Sequence, residues 1–251
     1  MTSDLSRSRP LPAVREWSAS GRLSFKVAVP PSHVVKAYFL ASALGLALCL
    51  ADQSFADPST FGPILTAHSW NGEDCDATCV AGLQRQRWLA LVPGKDGWSL
   101  EPTKLSFDDV NAKGVQSSVD GAEFYLAHPA VVAGHAATPN MRFKGKPYQF
   151  FDKHVAPLRI AFHDRAYEIG VEGHDVVLRS GGRKSVIGGI DPDDSTDTML
   201  FWAGDLDGDG EIDLIVDRSN SKNGQYCLML SSANKNPDEI VADVGCQFFS
   251  G

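Results

Sequence analysis

Met199-Leu200-Phe201-Trp202-Ala203-Gly204 leads into Asp205-Leu206-Asp207-Gly208-Asp209-Gly210-Glu211-Ile212-Asp213, and Leu214-Ile215-Val216-Asp217 leads out. The entry is short, apolar and aromatic. The exit is rich in β-branched residues and partly alternates, which suits a pleated, half-buried surface. The stretch therefore reads as two strands joined by an acidic loop. Aspartates fill loop positions 1, 3, 5 and 9, and glycines fill positions 4 and 6. A hard cation such as Ca²⁺ collects about six to eight oxygens at about 2.3–2.6 Å. Gly208 and Gly210 supply the backbone angles that let a short loop turn its side chains inward. Four like charges this close repel unless a cation sits among them.

Position 7 of such loops gives its backbone carbonyl, so Glu211 joins the candidate metal ligands without need of its side chain. The full set is Asp205, Asp207, Asp209, Glu211 and Asp213. An EF-hand would require flanking helices and a bidentate Glu at position 12. Position 12 is Val216, which offers no side-chain oxygen, and the flanks read as strands. Residues Trp202 to Asp217 resemble the calcium loops of the FG-GAP repeats found in the integrin α-chain head and in bacterial secreted relatives. The resemblance implies a calcium-bound β-hairpin. FG-GAP units in propellers recur once per blade, whereas the acidic motif occurs once here and no internal repeat is evident. The expected fold is all-β and mainly antiparallel, a single compact domain with one calcium-binding hairpin.

The rest of the chain agrees with a β reading. Arg87–Val92 and Trp98–Phe107 are strand candidates around the turn Pro93-Gly94-Lys95-Asp96-Gly97. Glu123–Ala127 is another. Leu158–Phe162, Tyr167–Val171 and Asp175–Arg179 form a meander linked by His163-Asp164 and Gly173-His174, with Gly181-Gly182 as a further turn. Gln225–Leu230 and Glu239–Val244 are the expected last strands. Asn71–Thr78 reads as a polar loop, Asp108–Lys113 as a helical turn, and Ala133–Pro147 as a long loop rich in Gly, Pro and Asn. Ile190–Thr198 is an acidic loop of irregular spacing, best read as solvated, and Ser219–Gly224 is a polar turn.

The N-terminus is expected to be processed. Ala37–Ala51 is an apolar run preceded by Lys36, and Ser54-Phe55-Ala56 places small residues at −3 and −1, the pattern of a secretory signal cut after Ala56. The run is short for a membrane span. The polar residues 1–31 are long for an n-region and point to a true initiator at Val34 or Val35. Leu48 argues against a lipid anchor on Cys49. The chain thus divides into an N-terminal extension and signal, 1–56, and an exported domain, 57–251 with no membrane span, secreted or periplasmic. The net charge of the 251 residues is −8, and the mature chain is more acidic still, because the signal region carries more Lys and Arg than Asp and Glu. That argues against nucleic acid or an anionic membrane surface as partner.

Cys75, Cys79, Cys227 and Cys246 remain after cleavage, and an even count in an exported chain indicates disulfides. Three connectivities exist; Cys75–Cys79 and Cys227–Cys246 are favoured. A zinc site using His68, Cys75 and Cys79 has a poor ligand pattern.

Enzyme signatures are scarce. Neither a Gly-x-Ser-x-Gly elbow nor His-Glu-x-x-His occurs. Gly181-Gly182-Arg183-Lys184-Ser185 reads as a hairpin turn rather than a phosphate loop, and His163-Asp164 as a surface turn. No catalytic residue is assigned. Trp70, Trp88, Trp98 and Trp202 could stack on a sugar if exposed, but apolar neighbours place Trp88 and Trp202 in a core. The expected function is a calcium-binding β domain with a structural or binding role, its ligand a carbohydrate or protein outside the cell or in its envelope. The alternative is a secreted hydrolase, of carbohydrate-active type for example, with a structural calcium ion. N-terminal sequencing of exported protein is expected to begin Asp57-Pro58-Ser59; a mature chain that keeps residues 1–31 would overturn the export reading.

Overall fold

Every residue of Asp213–Asp217 is buried, on both faces of its strand. A strand with one wet face alternates; one packed on both faces does not. This strand lies in a central sheet with a second sheet on either side, and the arrangement follows from where each neighbour sends its apolar residues. The computed structural model describes residues 62–67, 75–107, 115–139, 149–191, 196–219 and 223–250. The signal segment, His68, Trp70, the 108–113 turn, residues 140–147 of the long loop, Asp193 and Asp194 of the acidic loop, and residues 220–222 of the polar turn lie outside these.

In chain order the elements are β1 (Ile64–Thr66), α1 (Ala77–Arg85), β2 (Trp88–Gly94), β3 (Gly97–Thr103), β4 (Leu105–Phe107), β5 (Val115–Ser117), β6 (Phe124–Leu126), β7 (Gly134–Ala136) and β8 (Gln149–Phe150). Then come β9 (Leu158–Phe162), β10 (Arg165–Glu172), β11 (Asp175–Ser180), β12 (Arg183–Asp191) and β13 (Thr196–Asp197). Last are β14 (Met199–Gly204), β15 (Asp213–Asp217), β16 (Asn223–Leu230) and β17 (Ala242–Ser250). The first sheet has the order β1-β6-β2-β3-β7, the second is the meander β13-β12-β11-β10-β9, and the third runs β17-β16-β15-β14-β8. All the pairings are antiparallel, so the chain is an all-β domain as its sequence predicts.

The third sheet is the middle layer. Leu200, Ala203, Leu214, Val216, Cys227 and Met229 face Ile160, Phe162, Tyr167, Ile169, Val176, Leu178 and Ile187 of the meander. From the opposite face, Trp202, Ile215, Leu228 and Leu230 meet Ile64, Leu89, Leu91, Leu100, Phe124 and Leu126 of the first sheet. A bulge between Leu200 and Trp202 breaks the alternation of β14, so Phe201 and Trp202 both turn to the first sheet, as an inserted residue does. The outer face of the first sheet packs Leu65, Trp88, Ala90 and Tyr125 against Leu83 of α1 and Leu105 and Val115 of β4 and β5. The outer face of the meander carries solvated ion pairs instead, Arg159–Glu168 at 3.2 Å, Lys184–Glu172 at 2.9 Å and Arg179–Glu172.

Three expectations are corrected. The polar 71–78 loop runs into a helix, α1, which starts where the Asp76 carboxylate accepts from the Cys79 N–H at 2.8 Å. The 133–147 loop contains β7, an edge strand pairing Trp98 with Ala136. The final strand begins at Ala242 rather than Glu239, because the Ser185 hydroxyl takes the Ile240 and Val241 N–H groups, at 2.8 and 3.1 Å, and holds them against β12.

The cysteines pair as Cys75–Cys79 and Cys227–Cys246, the latter joining residues directly opposite on β16 and β17. Peptide mapping without reduction is expected to recover Cys227 bonded to Cys246. Replacing both by Ala should lower the unfolding free energy by about 3 kcal/mol, the chain-entropy value for a loop of about twenty residues.

Candidate metal centre

The acidic loop is the connection between β14 and β15, closed at its base by the Gly204–Asp213 pair. Two buried apolar residues pin it from within: Leu206 enters the core shared with the first sheet, and Ile212 the core shared with the meander. With those positions drawn inward, Asp205, Asp207 and Asp209 are left at the outer rim. Gly204 must be a glycine, since a Cβ would lie 2.3 Å from the Ala137 carbonyl oxygen and 2.6 Å from the Trp202 ring. That close approach lets the Asp205 N–H donate to Ala137 O at 2.8 Å.

The backbone then wraps around its own carboxylates. Gly208 and Gly210 N–H donate to the two oxygens of Asp205, at 2.6 and 3.0 Å. Asp209 N–H reaches Asp207 Oδ1 at 3.2 Å, and Glu211 N–H reaches Asp209 Oδ1 at 2.7 Å. Gly208 and Gly210 hold φ of +81° and +80°, the left-handed region that a Cβ disfavours. As a result one carboxylate oxygen each from Asp205, Asp207 and Asp209 lie within 4.8 Å of one another. Two oxygens bound to one ion at about 2.4 Å are at most about 4.8 Å apart, so the three meet this necessary condition for sharing a metal ion.

Asp213 lies deeper and is fully buried. Its oxygens accept from Leu206 N–H at 2.7 Å, Ser231 N–H at 2.8 Å and Ser231 Oγ at 3.0 Å. Burial pushes its carboxyl up to about 7, against the pull of those donors. Burial also raises Asp207, opposed by the hydroxyl of Ser232. Burial lowers the neighbouring His128, opposed by the Asp207 carboxylate. Glu211 departs from its fellows. Its side chain leaves the loop and pairs with Arg165 and, at 2.8 Å, Arg183, so its offer to a cation is the main-chain carbonyl.

Four participants escaped the sequence reading. Ser231 Oγ bonds Asp209 Oδ2 at 2.9 Å as well as Asp213, and Ser232 Oγ bonds Asp207. Arg165 and Arg183 hold Glu211. No local pattern marks the serines, but the β15–β16 register, Leu214 opposite Met229, carries the end of β16 alongside the loop. Two clefts flank the Arg183–Glu211 pair, one of 330 Å³ with Asp209, Ser231 and Glu239 in its wall, one of 570 Å³ with Asp164, Arg165 and Ser180. A second group of potential ligands, Cys227, Asp243 and Cys246, has both sulfurs committed to the disulfide. The Cys75 and Cys79 sulfurs are likewise bonded and are not free for zinc. His163-Asp164 is an exposed turn. Trp88 and Trp202 are buried core residues, and Trp98 packs edge-on against Trp202 with ring centroids 6.4 Å apart.

Comparison of the chain with protein-family models, with curated proteins and with solved structures finds no match in any of the three.

Ser231→Ala removes the hydroxyl that lies between Asp209 and Asp213, whose single proton serves one carboxylate at a time. It is expected to lower stability by about 2 kcal/mol, as hydrogen bonds to charged groups are worth. Urea unfolding with an unchanged slope would register it; a loss below about 0.5 kcal/mol would mean that the hydroxyl contributes nothing to the loop.

Proposed function

We propose that this protein is an exported calcium-binding β domain whose 205–213 loop is of FG-GAP type, with a structural or binding role and no catalysis of its own. The observation that carries the reading is the gathering of Asp205, Asp207 and Asp209 oxygens within 4.8 Å on a loop that both cores hold in place. Hard oxygen donors without sulfur or imidazole favour Ca²⁺ or Mg²⁺, and a loop of backbone and carboxylate oxygens favours the larger, less geometrically demanding ion. Asp213 and the Glu211 carbonyl would complete the protein's share of the coordination. Two disulfides support an oxidising compartment, and with it export. The ligand in a binding role would be a carbohydrate or a protein outside the cytoplasm.

The hydrolase alternative requires two carboxylates about 5–10 Å apart in a cleft away from the loop. The carboxylates in the two clefts, Asp164, Asp209, Glu211 and Glu239, share them with loop residues, and Glu211 is committed to two arginines. That arrangement favours the non-catalytic reading.

The test is thermal melting in excess Ca²⁺ and in chelator. At a calcium concentration one hundred times the dissociation constant the ion adds about 2.7 kcal/mol, a rise of roughly 5–10 °C for a domain of this size. Asp207→Ala should lose the rise. Asp96→Ala, an exposed carboxylate in the β2–β3 turn, should keep it. Identical melting of the wild type in both conditions would sink the calcium assignment.

A further inference from the structure

Glu211 belongs to the acidic loop by sequence and to the meander by its side chain. Its two carboxylate oxygens reach two different hairpins: Oε1 pairs with Arg165, and Oε2 with Arg183 Nη2 at 2.8 Å. Arg165 is the first residue of β10, just past the His163-Asp164 turn, and Arg183 the first of β12, just past Gly181-Gly182. The two turns lie side by side at one end of the meander, where Ser180 Oγ donates to Ala166 O at 2.8 Å. Beneath them Tyr167 is buried, its hydroxyl without a hydrogen-bond partner. Burial raises the pKa of that hydroxyl, against the pull of the Arg165 charge. Glu211 is two residues from Asp209 on one side and two from Asp213 on the other. Its place is thus set by the candidate ligands on either side of it.

We propose that calcium occupancy of the 205–213 loop is transmitted through Glu211 to the β9–β10 and β11–β12 turns, so that the ion regulates the order of the neighbouring sheet as well as of its own hairpin. The inference rests on the calcium reading of the loop and adds regulation to it. With the carboxylates gathered on an ion, Glu211 is fixed and both arginines are clamped. With the carboxylates repelling, the loop opens, Glu211 withdraws, and each turn loses its ion pair to the loop, Arg165 at one and Arg183 at the other.

Linkage makes the claim quantitative. If calcium steadies the clamp, the clamp must strengthen calcium binding by the same factor. Simple electrostatics predicts the opposite for the arginines: removing two cations near a cation site should tighten binding. The double variant Arg165→Gln/Arg183→Gln separates the two. Calorimetric titration with Ca²⁺ is expected to show binding weakened about tenfold, within the usual range of coupling. Hydrogen exchange of the wild type should show amides at 163–166 and 181–183 slowed by calcium, by about the same factor. The exchange measurement uses the unaltered protein, so it stands even if the double variant does not fold. Binding to the double variant that is unchanged or tighter would overturn the proposal. So would turn amides in the wild type that exchange at one rate with and without calcium while titration shows the ion bound. Absence of any calcium binding by the wild type would instead refute the metal assignment itself and remove the proposal with it.

Discussion

The structure depends on a sheet that is apolar on both faces. Once β14, β15 and β16 are packed on two sides, their connections have nowhere to go but the sheet's ends, and the β14–β15 connection must turn between two separate cores. Leu206 and Ile212 are the answer to that constraint: each is buried, and they enter opposite cores. Asp205, Asp207 and Asp209 stay at the rim because Leu206 and Ile212 are held inward, while Asp213 is buried beneath them. Burial of side chains of this size contributes about 1.5–3 kcal/mol each. That exceeds the repulsion of one exposed carboxylate pair, roughly 3 kcal/mol at an effective dielectric of about 20 before solvent screening, only when several such contacts act together. The loop is thus held from below and resisted from above.

The same loop is tied to all three five-stranded sheets. Asp205 N–H bonds Ala137 O, next to the first sheet. Ser231 and Ser232, at the end of β16, bond Asp207, Asp209 and Asp213. Glu211 holds the meander. A connection between two strands has become the place where three layers are fastened at one end, and a cation bound there would act on the joint rather than on one hairpin.

How much of this could be read from the sequence differs by element. The meander was legible because Leu158, Ile160 and Phe162 alternate with Arg159 and the small Ala161, and glycines mark its later turns at Gly173 and Gly181-Gly182. The 199–217 hairpin was legible from its β-branched exit and its glycine spacing. Helix α1 was not, since of its residues only Leu83 is buried and its apolar face is too thin to show a helical period. Its one signal, Asp76 as an N-cap, is intelligible once the helix is known. The start of β17 was misplaced because Ile240 and Val241 look like strand but are held by a serine 55 and 56 residues earlier in the chain. The aspartates of the candidate site were legible as a run. Ser231, Ser232, Arg165 and Arg183 were not, because strand register and sheet stacking bring them to the loop, and neither leaves a local mark.

The order of the layers in space is not their order along the chain. The middle layer, on which both cores rest, is formed almost entirely by residues 199–250, which follow the strands of both outer sheets along the chain. Until they arrive, the first sheet and the meander each have an apolar face and nothing to cover it. Neither outer sheet can bury its inner face until the 199–250 strands pack against it. The Cys227–Cys246 disulfide lies wholly within that late segment, so the bond fastens the layer on which both cores rest and neither of the sheets that it covers.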